Sequence, residues 1–200
     1  MQYYTNRDSN NQLVRNGYLE LVARRDSFKG FAYTSASINT KGKFSFTYGR
    51  MEARMKLTMD QGLWPAFWTL GTNIDQVGWP SCGEIDVMEH VNSEDRILGT
   101  AHWLKKRNKH VSSRSSFNLD SAEFHVYAVE WTSSQISWFV DDVLFHRLKI
   151  KNGRKKTSEL HMPQYLLLNL AVGGNWPGSP NNATIFPARV YVDYVRVYDK

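Results

Sequence analysis

The chain holds a single cysteine, Cys82, in 200 residues, so no disulfide can form within it. No stretch approaches the roughly 18 consecutive apolar residues of a membrane-crossing helix, and there is no charged and then apolar leader of the signal-peptide kind. Internal repeats, low-complexity segments and an interdomain linker are also absent. His102, His110, His125, His146 and His161 show no close ligand spacing, which argues against a catalytic metal. What the chain has instead is apolar and aromatic mass, 42% and 14% of residues, enough for one domain over residues 1–200 to bury a substantial core.

The net charge is +6, with an isoelectric point near 9.4. The positive residues gather in Lys105, Lys106, Arg107, Lys109 and His110, and again in Lys149, Lys151, Arg154, Lys155 and Lys156. Both runs lie among Asn, Ser and Gly between strand-like segments and read as solvated loops. Nucleic-acid binding is not expected, because the aromatic residues cluster with acids, which repel phosphate. Weak attraction to anionic polysaccharide or cell walls fits the charge better.

Strand-like runs separated by turn signals cover Tyr18 to Ala23, Phe44 to Leu57, Trp64 to Leu70, Glu84 to Val91, Ile97 to Trp103, Phe124 to Trp131, Ile136 to Val140, Val143 to Leu148, Tyr165 to Val172 and Val190 to Tyr198. That rhythm predicts an antiparallel all-β fold, a sandwich or barrel. Asp141 and Asp142 mark a hairpin turn between two of the runs. Only Thr157 to His161 hints at a helical turn.

The most informative stretch is Cys82 to Asn92, C-G-E-I-D-V-M-E-H-V-N. In a strand, side chains alternate faces, so Glu84 and Asp86 point one way while Ile85 and Val87 point to the core. Glu89 has the wrong parity and would be buried with the apolar set, at a cost of roughly 2–7 kcal/mol for a polar group and more for a charge. One inserted residue at Val87 or Met88, a β-bulge, returns it to the face of the other two acids. With the bulge, the Cα atoms of Glu84 and Glu89 stand about four strand steps, some 13 Å, apart, and the side chains lean together. Carboxyl groups about 5–5.5 Å apart suit a retaining glycosidase, one acting as nucleophile and the other as acid and then base. Asp86 between them can hold a proton or hydrogen bond that keeps the pair in opposite states. The competing reading is a solvated acidic strand edge. By the same parity, His90 should point into the interior, where it needs a partner that the sequence does not name.

The neighbours favour a sugar cleft. Trp64 and Trp68 lie in G-L-W-P-A-F-W-T-L-G, and Trp79 stands five residues before Glu84 in a Gly/Pro-flanked loop. Sugars present flat C–H faces that stack on such rings. Trp68 is as well suited to the core as to the cleft. His102 in G-T-A-H-W can hydrogen-bond sugar hydroxyls, and Trp103, of opposite parity, should face away. Cys82 reads as a small packed residue beside the acid strand.

E-I-D-V-M-E, with W-P-A-F-W before it, Y-G-R-M-E-A-R-M-K from Tyr48, L-N-L-A-V-G-G-N-W-P-G from Leu168 and V-D-Y-V-R-V-Y from Val192, resembles family sixteen of the glycoside hydrolases. Within it, the chain is similar to the laminarinase group of endo-β-1,3-glucanases, over about residues 2–198. The resemblance implies a jelly-roll β-sandwich whose concave face holds the glycan cleft, with Glu84 as nucleophile, Glu89 as acid/base and Asp86 as assisting acid. In that family the extra residue before the last Glu belongs to laminarinases, agarases and carrageenases, and lichenases lack it.

The same resemblance offers further expectations. Asn39 in S-I-N-T-K-G-K matches a glycone-side loop, Arg50 belongs to a family motif on a strand whose other face is Met51, Ala53 and Met55, and Trp176 in G-G-N-W-P-G would be a rim residue. Asp193 matches an aspartate that holds a structural calcium in relatives; no cofactor is implied for catalysis. Relatives carry another strand or two before Met1, so the chain is expected to lack that edge. The expected partner is a β-glucan polysaccharide or oligosaccharide, met by a secreted or cell-surface monomer without membrane insertion. The expected activity is retaining endo-hydrolysis of β-1,3-glucan, extending to mixed-linkage β-1,3-1,4-glucan; a transglycosylase or a non-catalytic glucan-binding module are the alternatives.

Overall fold

The computed structural model describes residues 1–105, 109–119, 123–151 and 157–199. Numbered in chain order, the strands form two sheets. The larger runs in space β1 (Gln2–Tyr4), β4 (Phe31–Ser35), β3 (Tyr18–Phe28), β15 (Ala188–Tyr198), β6 (Gly49–Lys56), β11 (Phe124–Trp131), β12 (Gln135–Val140), β13 (Val143–Lys149), with β2 (Gln12–Arg15) also on β3. The smaller runs β10 (Lys109–Asn118), β9 (Arg96–Lys105), β8 (Glu84–His90), β7 (Leu63–Gly71), β14 (Gln164–Val172), β5 (Ser37–Asn39). A short helix α1 (Ile74–Val77) and a 3-10 turn (Ser158–His161) complete it. The architecture is an antiparallel β-sandwich, the one of the two forms left open by the strand rhythm that the family resemblance implies; among the described residues only β1 pairs parallel, with β4.

The sheets face each other across a core set by alternation. On β6, Met51, Ala53 and Met55 are fully buried while Arg50, Glu52 and Arg54 point the other way. Tyr127, Trp131 and Trp138 from β11 and β12 meet Phe67, Ile85, Met88 and Ile97 from β7, β8 and β9. Cys82 is buried in a satellite cluster with Leu70, Tyr165 and Leu167. Asp141 and Asp142 make the expected hairpin turn, both at positive φ, 47° and 64°. Among the described residues no helix is long and apolar enough to cross a membrane.

Two expectations need correction. The basic run around Lys105 is not simply loop: Lys105 ends β9, and Lys109 and His110 begin β10, whose ten residues pair one by one with β9. Its sequence, K-H-V-S-S-R-S-S-F-N, has few apolar residues, so membership of the sheet comes from pairing rather than composition. Lys106, Arg107, Arg154, Lys155 and Lys156 lie outside the described residues. The run from Phe44 becomes regular strand only at Gly49, after a turn in which Tyr48 takes φ 66°.

Candidate active site

The β-bulge required by parity is present in β8. Asp86 pairs with Thr100 and Glu89 with Leu98, so Val87 and Met88 together oppose the single residue Gly99. Both extra-register side chains enter the core, Val87 and Met88 being fully buried, and Glu84, Asp86 and Glu89 are left on the concave face. Gly99 has to be small, because a side chain there would meet the Trp138 indole ring. That indole donates its Nε1–H to the Asp86 carbonyl at 2.8 Å, satisfying a main-chain group beside the disrupted ladder. Gly83, at φ 76°, leads into the strand against the Glu159 carbonyl, where a side chain would also collide. His90 does point inward, and its partner is the Glu94 carbonyl, 2.8 Å from Nε2.

Burial is the main force on the acids. It pushes Glu84 up to about 8, with the Asp86 charge adding to the shift, while His102 and the Trp79 N–H oppose it. Burial and the Glu84 charge push Glu89 up to about 7, and His102, Trp64 and Arg114 oppose that. Asp86, the most enclosed of the three, is raised by burial first and by Glu89 second. Trp79 donates to Glu84 Oε2 at 2.8 Å, and Thr100 reaches Glu89 Oε2 at 3.4 Å. Three such carboxyls on one wall cannot all ionise cheaply near neutral pH, so the cluster keeps proton donors and a carboxylate side by side.

The acids stand between two adjoining hollows. One, of about 280 Å³, is lined by Tyr4, Ser37, Trp64, Trp68 and Asn169 as well as the three acids. The other, of about 390 Å³, is lined by Trp64, Trp79, Thr100, His102, Arg114 and Trp176 with Glu84 and Glu89. Trp64, Glu84 and Glu89 border both, so a chain laid across the strands passes directly over the acids. Trp79 is 51% exposed, with its ring packed against His110 and His102. Trp176 packs edge-on against Trp64, ring centres 4.9 Å apart, at the rim. Trp68 belongs to the cleft floor, its Nε1–H held by Asn169 Oδ1 at 2.7 Å. His102 turns Nε2 to Asp86 Oδ2 at 3.3 Å, while Trp103 is buried on the other face.

Three expected site residues fall elsewhere. Arg50 lies on β6, in the other sheet, where its guanidinium is shared by Glu52, Glu130 and Asp142 at 2.9, 3.4 and 2.8 Å; it cannot reach the cleft. Its polar face is the outer face of the larger sheet, a choice that parity leaves open. Asn39 ends β5 on the side of Ser37, but its side-chain oxygen accepts the Lys41 N–H at 3.0 Å, and it borders neither hollow. Asp193 is paired with Arg54 at 2.8 Å, and among the described residues no group of three or more His, Cys, Asp or Glu ligand atoms forms around it. Glu84, Asp86 and His102 do bring ligand atoms within 4.8 Å of one another. The Trp79 N–H aimed at Glu84 and the raised carboxyls suit a hydrogen-bonded acid cluster.

Several cleft residues escape sequence reasoning, among them Arg114 on β10, which composition hides, Asn169 inside an apolar run, and Tyr4 from the short β1. For Asn169 a signal existed, a lone amide among leucines in L-L-L-N-L.

The chain matches the family described as Glycosyl hydrolases family 16 over residues 1–196. It is 41% identical over 212 residues to the beta-glucanase of Rhodothermus marinus, covering 99% of this chain and 73% of that protein. It is 39% identical over 199 residues to the clotting factor G alpha subunit of Tachypleus tridentatus, covering 99% of this chain but only 29% of that subunit's length. Its structure is similar to the laminarinase catalytic domain of Thermotoga maritima, with a TM-score of 0.87, 38% identity, and coverage of 100% of this chain and 83% of the other. With a bulged acid strand between two tryptophan-lined hollows and a family match across nearly its whole length, this chain belongs to family 16 of the glycosyl hydrolases.

Proposed function

We propose that the protein is a retaining endo-hydrolase of β-1,3-glucan, acting also on mixed-linkage β-1,3-1,4-glucan. The observation that carries this reading is the bulge at Val87–Met88, which sets Glu84, Asp86 and Glu89 on one face with a hollow on either side. Openings on both sides suit a chain cut internally. Trp64, Trp68, Trp79 and Trp176 supply stacking surfaces for the sugar rings.

In this reading Glu89, held up near neutral pH, protonates the leaving oxygen, and Glu84 attacks the anomeric carbon as carboxylate. Glu84, at about 8, holds a proton more firmly in the empty cleft than Glu89, at about 7, so in this reading it passes that proton to Asp86, the most buried acid, before it attacks, and the Trp79 N–H favours the resulting carboxylate. Water deprotonated by Glu89 then releases the sugar from Glu84 and restores both groups. Carboxyls and water complete the cycle, so no cofactor enters it. A polymeric glucan as substrate implies action outside the cell, and the site, built from one chain, lets a single domain act as a monomer.

The test is release of reducing ends from laminarin, with the anomeric form of the first product read by NMR. Retained configuration and loss of turnover in Glu84→Ala, with its fold and some glucan binding kept, are expected. Wild-type-like turnover in Glu84→Ala would sink the mechanism. Products longer than the substrate would instead identify a transglycosylase, and binding without any cleavage a glucan-binding module. Laminarin, lichenan, agarose and carrageenan assayed together decide the linkage.

A further inference from the structure

His110 stands on β10, outside the acid strand, and two-carboxylate chemistry does not require it. Its ring nevertheless touches both groups that hold Glu84 and Asp86. His110 Nε2 lies 2.9 Å from His102 Nδ1, with the rings stacked at 5.1 Å and 23°. The same ring packs on Trp79, 4.8 Å between centres, and Trp79 is the donor to Glu84. His102 directs its other nitrogen, Nε2, to Asp86 Oδ2 at 3.3 Å and Glu84 Oε1 at 3.8 Å. Ring nitrogens therefore run in line from a buried carboxyl to an exposed surface. Strand register makes this happen: Ser112 is opposite His102 and Leu104 opposite His110, so the two histidines are diagonal neighbours on one face.

Only one proton fits between the two facing nitrogens, so their tautomers are tied together. If His102 Nδ1 carries it, His102 Nε2 is bare and is satisfied only by a proton on Asp86. If His110 Nε2 carries it, His102 has its proton on Nε2 and sets it 3.3 Å from an ionised Asp86, whose Oδ2 has no other hydrogen-bond partner among the described residues. We infer that His110 is a positioning residue that sets the tautomer of His102 and, through it, exchanges the proton of Asp86 with water while glucan covers the cleft. Going from the first arrangement to the second, Asp86 gives its proton to His102 Nε2, His102 Nδ1 gives one to His110 Nε2, and His110 Nδ1 releases one to solvent. The balance is one proton out, and the reverse passage returns it.

The ionisable groups around this line are Glu84, Asp86 and Glu89 on β8, His102 on β9, and Arg114 on β10, which acts on His102 and lies four residues along the strand from His110. Burial lowers His102 most, with Arg114 adding to this and Glu84 and Glu89 opposing it; His110 is lowered by burial and then by His102. Both rings are thus neutral at neutral pH, the state in which tautomers can alternate.

The role in turnover rests on the hydrolytic reading of the acids, but the link between the rings can be measured without turnover. His110→Phe keeps a flat ring against Trp79 and removes both nitrogens. On laminarin its kcat should fall roughly tenfold, less than the ~10²–10⁴ of a direct acid or base, with KM close to wild type. In His110→Ala, which leaves the space of the ring open, added imidazole should restore most of the loss, which it would not do for a packing defect. In 15N NMR spectra the His102 ring signals should move to those of a different tautomer in the variant. Unchanged His102 signals would overturn the positioning role whatever the activity, and a loss of kcat that imidazole does not restore would overturn the proton exchange. Wild-type protein inactive on every β-glucan would overturn hydrolysis alone, leaving the NMR comparison to judge His110.

Discussion

Trp138 of one sheet donates its indole N–H to the main-chain carbonyl of Asp86 in the other, at 2.8 Å. The bond crosses the core to the strand position from which the bulge departs, and Gly99 opposite leaves room for the indole to make it. The fold and the chemistry are joined at this contact. Without the bulge Glu89 would face the core, and without Trp138 a buried carbonyl beside the bulge would lose its donor.

Trp138→Phe should therefore lower stability by roughly 1–3 kcal/mol, the cost of a buried polar group left without a partner. Activity should fall further than the loss of folded protein explains, because the acids depend on the bulge. Denaturant unfolding combined with turnover per folded molecule checks this; equal stability and activity would show the bulge to be self-supporting.

The acids should make the protein less stable as pH rises. Glu84 has an ordinary value of 4.5 but stands at about 8 in the folded chain, and Glu89 at about 7. The folded state thus keeps protons that the unfolded chain has released, and stability declines between roughly pH 4.5 and pH 8. Glu84→Gln removes one such group. Its melting temperature should exceed wild type at pH 8 by several degrees, at roughly 2–4 °C per kcal/mol, and match it near pH 4. A difference of the same size at both values would mean that packing, not ionisation, is responsible.

Trp79→Phe keeps a ring at the cleft mouth but removes the donor to Glu84 Oε2. Hydrogen bonds to charged groups contribute about 1.5–3 kcal/mol, so kcat/KM should drop by roughly 10- to 100-fold. The bond favours the carboxylate, so its loss raises Glu84 further and moves the acidic limb of the pH–rate profile upward. An unmoved limb would show that Trp79 serves only to stack sugar.

Arg50→Ala should leave glucan hydrolysis unchanged. Its three carboxylate partners lie on the outer face of the larger sheet, and a half-exposed network of this kind contributes on the order of 1 kcal/mol. A fall in kcat/KM at unchanged stability would place Arg50 in the cleft after all.

The sequence by itself determined the pattern along each strand. Alternation in G-R-M-E-A-R-M-K told which residues of β6 are buried, and the broken alternation of E-I-D-V-M-E required a bulge, because a two-residue period leaves no other way to put Glu89 with Glu84 and Asp86. Tertiary structure decided what each polar face looks onto. Arg50 and Trp68 have equally clear parity, yet one meets the acids of the outer sheet face and the other the cleft floor, because a period of two separates faces without saying which sheet a strand joins. Asp193 found Arg54, and His90 found the Glu94 carbonyl, through distances that only the folded chain sets. His110 shows the same division: its strand is poor in the residues that favour strands, and its place beside His102 comes from the register of β10 on β9, a pairing fixed by backbone hydrogen bonds rather than by any local signal.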